Sequence, residues 1–581
     1  MAGSIARLPA VSRPHPWRRF GVVLLVLLVL ALAAGGVRGY LRARSLDWQV
    51  RRGLELLQNA DTPRTARAAL DRWENETRPV WESRVDELVT CLFSRYSLDD
   101  HRVRLLLARV SGVDYGDRRA DWKRWYETQQ HLRAGRQPSV PRHENVRLEP
   151  QWQAAVGLTS WFTTILPLDG QIYVASLGAR FDDPQDTADG VVRIDGATGQ
   201  AELIFSTSDR PTRGPRDVIG LAAGERRLFV ACLNGSVYAI DPQGQMLWET
   251  HVGSPVVAPP LSIDINRDGT SDMLVITRSG KVLALLGQSG RTAWVANVSR
   301  PPAGSDLLGA TLALTDALGG QGAAVLVTTP LGDVELLGLS NGRSRWRTNL
   351  LAGTLTGAVC LGKGAQPGPP VYVGDRAARV WSVLLTGSTL QTTIWGAPAL
   401  RKEETLIAAL RTLDGDPNQP PAVLACTTGE YGDRRSGICL LDPEGVRWRA
   451  AVPGTVWGAP AVADLSGDGR VEILVPSIEP VAEGRACGGL TVFSHEGHIL
   501  QRLTLEAAVE CPPVVADVDG NHRLEVLVAD QAGYLHCYKT DRYGPVRWGL
   551  AAGDSHNTRN ASNAFAFGQT PFGYQWAWRP E

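Results

Sequence analysis

"GSVYAIDPQGQMLWE", Gly235 to Glu249, is the stretch on which the fold turns. "SVYAI" has the β-branched and aromatic character of a strand. "DPQG" supplies turn residues. "QMLWE" is a second strand that closes at a tryptophan. Ahead of it, "RLFVACLN" from Arg227 reads as another strand. The unit is therefore strand, tight turn, strand, turn with glycine, strand ending at Trp.

Working outward, the same unit recurs. Copies begin at Gln171, Arg227, Met273, Ala324, Pro370, Ala422, Glu472 and Glu525. Their closing positions fall at Phe205, Trp248, Trp294, Trp346, Trp395, Trp448, Leu503 and Trp548. The spacing, roughly 43 to 55 residues, suits a four-stranded propeller blade. The chain thus predicts an all-β propeller over residues 152–550, with eight blades, or seven if the first copy is not a full blade. Each closing Trp is expected to pack between neighbouring blades. A sandwich array is the alternative, but a closed ring leaves no long exposed strand edges.

The pattern G-x-V/L-x-A/L-(x)-D-x-x-(x)-G-x-x-x-W resembles the quinoprotein-type (PQQ-like) propeller repeat, from about Trp152 to Trp548. The tail "WGLAAGDSHNTRN", from Trp548, is loosely similar to the segment that follows such propellers. The resemblance raises a PQQ-dependent dehydrogenase as an alternative reading. In that family PQQ sits between a tryptophan floor and a disulfide of adjacent cysteines, beside a catalytic Asp and a calcium ligand. Here no two of the eight cysteines are adjacent, and no Asp matches the catalytic position by motif. PQQ is accordingly not expected, and no catalytic residue is assigned.

Three acidic loops stand between a Pro-containing strand and an aliphatic one. "DINRDGTSD" carries Asp264, Asn266, Asp268, Thr270 and Asp272. "DLSGDGRVE" carries Asp464, Ser466, Asp468, Arg470 and Glu472. "DVDGNHRLE" carries Asp517, Asp519, Asn521, Arg523 and Glu525. An EF-hand needs flanking helices and a Glu at its twelfth position. Val275 stands there in the first loop, inside a strand, so that reading fails. The loops resemble the calcium-binding loops of FG-GAP, integrin-type propellers. The resemblance implies side-chain ligands at positions one, three, five and nine, with the carbonyls of Thr270, Arg470 and Arg523 at position seven. Asp264, Asn266, Asp268 and Asp272 form the strongest set. In the third copy His522 replaces the turn glycine, and in the second Ser466 brings no charge. Faded copies keep Asp414 and Asp416, or Asp316 alone. The expected role is structural, since such a cage leaves no open position for substrate. The alternative is a set of polar turns closed by Asx hydrogen bonds.

Ahead of the repeats, Phe20 to Val37 is an uninterrupted apolar run of 18 residues. As a helix it spans roughly 27 Å, enough for a bilayer core. Arg7, Arg13, Arg18 and Arg19 precede it, which predicts a cytoplasmic tail over 1–19 and an exported remainder. A cleaved signal peptide is the alternative, and it exports the remainder as well. Residues 44–136 read as a small all-α module of four or five helices, weakly similar to a HEAT-type module. Thr62 is an N-cap ahead of Pro63, and Trp122 and Trp125 are core residues. A linker covers 137–151, and a closing segment and tail cover 551–581. The 581 residues carry a formal net charge of zero, which offers no electrostatic case for nucleic acid. The cysteines show no C-x-x-C zinc or redox spacing. Cys426 and Cys439 flank one hairpin and could pair in an oxidising compartment.

Together these readings describe a single-pass cell-membrane protein whose propeller is periplasmic or extracellular. Its expected work is non-catalytic: it presents propeller faces to a protein or glycan partner at the cell envelope, with calcium-stabilised blade loops. By resemblance, one precedent is the propeller lipoprotein that assists outer-membrane assembly; the other is integrin-like adhesion.

Overall fold

The computed structural model describes residues 45–111 and 146–550 apart from short internal stretches, together with Trp122, Lys123, Tyr126 and Asn557. The expected tail over 1–19, the apolar run 20–37, Thr62, residues 137–145, and 551–581 apart from Asn557 lie outside the described residues. Among the described residues no helix is long and apolar enough to cross a membrane. The chain divides into two compact units, Met1–Ser111 and Gly112–Glu581.

In the first unit the described residues form four helices: α1 (Leu46–Leu56), α2 (Pro63–Trp81), α3 (Val85–Arg95) and α4 (His101–Ser111). The Ser45 hydroxyl caps α1 by accepting from the Trp48 N–H at 3.2 Å, satisfying one of the donors a helix start leaves open. Pro63 opens α2, as its fixed φ favours. Trp73 on α2 and Leu106 on α4 are fully buried, and Trp73 Nε1 donates to the Gln49 carbonyl at 2.8 Å. The α2 surface buries one apolar stripe and leaves Arg72 and Glu76 paired outside at 2.8 Å.

The second unit is an all-β propeller. Its strands run from β1 (Glu149–Ala155) to β33 (Val546–Trp548) and form eight sheets. Seven sheets are built on four consecutive antiparallel strands, from β2 (Ile165–Leu168) to β29 (Ile499–Leu505). The eighth is composite: β30 (Val514–Ala516), β31 (Glu525–Ala529) and β32 (Tyr534–Lys539) are completed by β1 from the other end of the repeat region. In each sheet the first strand lies innermost. Thus β6 (Val218–Gly224) touches both β2 and β10 (Leu261–Ile263), and β26 (Ala461–Ala463) touches β30. Ile165 and Leu166 of β2 share one apolar cluster with Val514 and Ala516 of β30, which closes the ring.

Burial follows strand order. The second strand Met273–Ile276 is fully buried, whereas the outer strand Met246–His251 alternates with exposed residues. Inner strands see apolar faces on both sides and read as continuous aliphatic runs; outer strands meet water. Register also decides the cysteine question. Ala425 pairs with Cys439, and Cys426 pairs with Ile438. Adjacent residues of a strand point to opposite faces, so Cys426 and Cys439 lie on opposite faces of their sheet and cannot bridge.

Outer-strand tryptophans do pack between sheets, and the reason is specific. Trp248 Nε1 donates to the Gly287 carbonyl at 2.7 Å, Trp294 Nε1 to Leu339 at 3.0 Å, and Trp448 Nε1 to His495 at 3.1 Å. Each acceptor lies in the turn between the third and fourth strands of the next sheet. Two closing positions differ from the sequence reading. Trp152 of β1 makes the contact for the eighth sheet, with Nε1 donating to the Gly196 carbonyl at 2.9 Å, while Trp548 sits on β33 beside β26. In the seventh sheet register gives the position to Gln501, opposite Val492, rather than to Leu503. Its neighbour is the composite sheet, whose third and fourth strands are not joined by a turn. Gln501 Oε1 instead accepts from the Leu148 N–H at 2.9 Å.

Candidate functional site

The three acidic loops join first to second strands, as expected, and therefore lie at one end of the ring. Their chemistry differs. In the first loop every carboxylate is already occupied. Asp264 accepts from the N–H groups of Asp268 (3.2 Å) and Gly269 (2.9 Å). Asp272, buried, accepts from Ile265 N–H at 2.9 Å and from Gly287 N–H at 2.7 Å. Asp268 accepts from Thr270 N–H at 2.8 Å and from Asn266 Nδ2 at 2.9 Å. The Asn266 side-chain hydrogen bond, then that N–H, hold the Asp268 carboxyl below its ordinary value. Each of these carboxylate oxygens thus accepts a hydrogen bond from within the loop or its neighbouring turn.

The second loop is partly closed in the same way. Glu472 Oε2 accepts from Leu465 N–H at 2.6 Å and Ser466 N–H at 3.1 Å, and Asp464 Oδ1 accepts from Gly467 N–H at 2.6 Å. Arg470 reaches Glu496 at 4.0 Å, and Asp468 lies outside the described residues.

The third loop is different. Asp517, Asp519 and Glu525 each bring a carboxylate oxygen within 4.8 Å of the others. Glu525 opens β31 and is fully buried. Its Oε2 accepts from Val518 N–H at 2.9 Å, but Oε1 is buried with no hydrogen-bond donor among the described residues. Burial, with Asp519 and Asp517 adding to it, pushes its carboxyl up to about 9. Asn521 closes the loop from outside, its N–H and Nδ2 donating to Asp519 at 3.0 and 2.7 Å. Three converging carboxylates with a bare buried oxygen suit a hard cation. Residue types alone favoured the Asp264 loop. The third loop also turns N–H groups onto its own acids, Gly520 N–H reaching Asp517 at 2.7 Å, and it is set apart by the Glu525 Oε1 that no described donor meets.

The axis of the ring is lined by the innermost strands, and the described residues of the C-terminal segment meet them. Strand β33 pairs with β26, and the Gly549 carbonyl accepts from Val515 N–H of β30 at 2.9 Å. Leu550 is buried in the cluster formed by the first, second and last sheets. Asn557, buried and with φ of 61°, donates through Nδ2 to the carbonyls of Leu221 on β6 and of Pro260 just before β10, both at 2.7 Å. The segment therefore reaches from the seventh and eighth sheets to the second and third. Of the residues weighed for chemistry, His495 and His498 flank Glu496 in an exposed turn at 3.5 and 3.6 Å. Ser555 and His556 lie outside the described residues.

Residues 188–387 match the family model of the outer membrane protein assembly factor BamB, of the PQQ-like type. The chain is 27% identical over 184 residues to the outer membrane protein assembly factor BamB of Burkholderia pseudomallei (strain K96243), covering 31% of this chain and 45% of that protein. The match thus spans less than half of that relative's length. Among solved structures, BamB from Moraxella catarrhalis aligns with 68% of this chain and 100% of its own at 13% identity, with a TM-score of 0.40. Quinohemoprotein alcohol dehydrogenase from Comamonas testosteroni aligns with 79% of this chain and 85% of its own at 13% identity, with a TM-score of 0.47. The chain carries a PQQ-like β-propeller, and its sequence similarity is to the BamB type.

Proposed function

We propose that the protein is a non-catalytic scaffold at the cell envelope, held to the membrane by the apolar run 20–37 and binding a protein partner through its propeller. The observation that carries this reading is the match of residues 188–387 to an outer membrane protein assembly factor. The axial course of the C-terminal segment agrees with it, because the chain's own backbone and Asn557 side chain engage inner-strand groups on which an axial ligand would draw. Fold alone does not give function, so the partner must be found by experiment. The test is photo-crosslinking of the full chain in its native membranes. Capture of proteins engaged in outer-membrane assembly is the expected result. Dye-linked oxidation of alcohols or sugars on addition of PQQ and calcium, with no such capture, would overturn it.

A structural calcium ion belongs to the same reading. Asp517, Asp519 and Glu525 would hold it, pinning the loop between β30 and β31. Ligand binding to the folded state alone raises its stability. A rise in Tm with calcium that is reversed by chelator, and absent in Glu525→Gln, is expected; an identical rise in that variant would remove this loop from the account.

A further inference from the structure

Among the described residues, seven sheets end at their innermost strand, and one, that of β26, takes β33 as a fifth strand on its axial edge. The pairing is antiparallel, Val462 facing Trp548 and Ala463 facing Val546. Just beyond β33, the Gly549 carbonyl accepts from Val515 N–H of the next sheet at 2.9 Å. Val546 packs against, and Leu550 lies within, the apolar cluster that joins the first, second and last sheets. Asn557 adds a contact that only an amide side chain makes. Its Nδ2 donates to the Leu221 carbonyl of β6 and to the Pro260 carbonyl before β10, both at 2.7 Å and both buried. The two carbonyls come from different sheets. They meet one amide because Gly220 has no side chain: a Cβ there would stand 2.6 Å from Pro259 Cα. Asn557 is held at φ of 61°, a left-handed conformation that asparagine adopts more readily than most residues.

These are the contacts by which a sheet edge takes up an extended peptide: main-chain pairing gives affinity, and side-chain pockets give selectivity. We propose that the axis is a docking groove for an extended segment of a protein partner. Residues 546–557 occupy it in cis, and the partner's segment replaces them. This rests on the reading of the propeller as a protein-binding scaffold, and it names the mode. The partner adds a strand to β26, seats apolar side chains in the cluster that holds Leu550, and places an amide donor between β6 and β10. The cis segment is suited to exchange. Its paired part, β33, is three residues long, and so short a pairing belongs to the weakly held end of a structure.

The test uses the full chain with a protease site placed within residues 543–545 and cut after folding, so that no variant has to fold without the segment. The probe is a labelled synthetic peptide of residues 546–557, read by fluorescence anisotropy. It should bind the cut chain and displace the C-terminal fragment on gel filtration, while binding the uncut chain at least about tenfold more weakly, because the tethered segment competes. The same peptide with Asn557→Ala should compete about tenfold less well, having lost two buried hydrogen bonds. No displacement, or equal competition by the Asn557→Ala peptide, would overturn the groove. Excess peptide should also lower photo-crosslinking of the cut chain to its partner in membranes. Capture that persists undiminished while the peptide is bound would overturn the partner's place on the axis and leave the scaffold reading standing. Absence of any capture would remove that reading and this proposal with it.

Discussion

Glu335 shows how far a single buried acid departs from its sequence context. It sits 3% exposed on the third strand of its sheet, with Oε2 lacking a hydrogen-bond donor and Arg347 3.8 Å away. Burial raises its carboxyl above the ordinary value. A raised folded-state value means stability is present at low pH and is lost as pH climbs through that range. Glu335→Gln should therefore gain in Tm over the wild type as pH rises from about 4.5 to 7, read by thermal melts across that window; a constant difference would contradict the burial argument. Nothing in "GDVELL" announces this, because the alternation of a strand tells which face a residue takes but not what meets it there. The acidic loops teach the same lesson. Their residue types were legible in the sequence, but the use of each oxygen by backbone N–H groups was not, and that use now sets Asp517, Asp519 and Glu525 apart.

At the scale of elements, the repeated contact is a tryptophan on a turn. Gly290, with φ of 67°, would place a Cβ 2.6 Å from the Trp248 ring, so the turn needs both the left-handed backbone and the missing side chain. Gly290→Ala should lower stability by about 1–3 kcal/mol, and Trp248→Ala by about 3–5 kcal/mol, both measured by denaturant unfolding. Trp248→Phe keeps most of the packing and loses the bond to Gly287, so about 1 kcal/mol or somewhat more is expected. The positions of most of these tryptophans were readable from the repeat. The exceptions follow from topology: Trp152 serves the eighth sheet because β1 completes it, and Gln501 replaces a tryptophan where no turn faces it.

For the whole molecule, closure is made twice. Strand β1 completes the outer edge of the last sheet, and the segment from β33 to Asn557 ties inner strands across the ring. Ending the chain after residue 545 should leave the β-sheet circular dichroism in place but lower Tm by several degrees. Asn557→Ala, which strands two buried carbonyls, should cost about 1–3 kcal/mol on its own. No change in either variant would mean that the axial course contributes nothing to stability.

The amino-acid sequence by itself determined the class of fold. Strand-length aliphatic runs, turn residues at regular offsets and a closing apolar residue, mostly Trp, every 43 to 55 residues or so permit little but a propeller. Those signals are local, carried by side-chain period and turn chemistry. It also offered candidate oxygen ligands for a hard cation in the three acidic loops. Only the tertiary structure decided which of them converge, because the oxygens that meet at Asp517, Asp519 and Glu525 come from a loop and a strand start whose approach is set by sheet register. The closing of the ring by two distant ends was likewise invisible in the repeat, since it depends on strand pairing between residues almost 400 positions apart, such as Trp152 and Cys537.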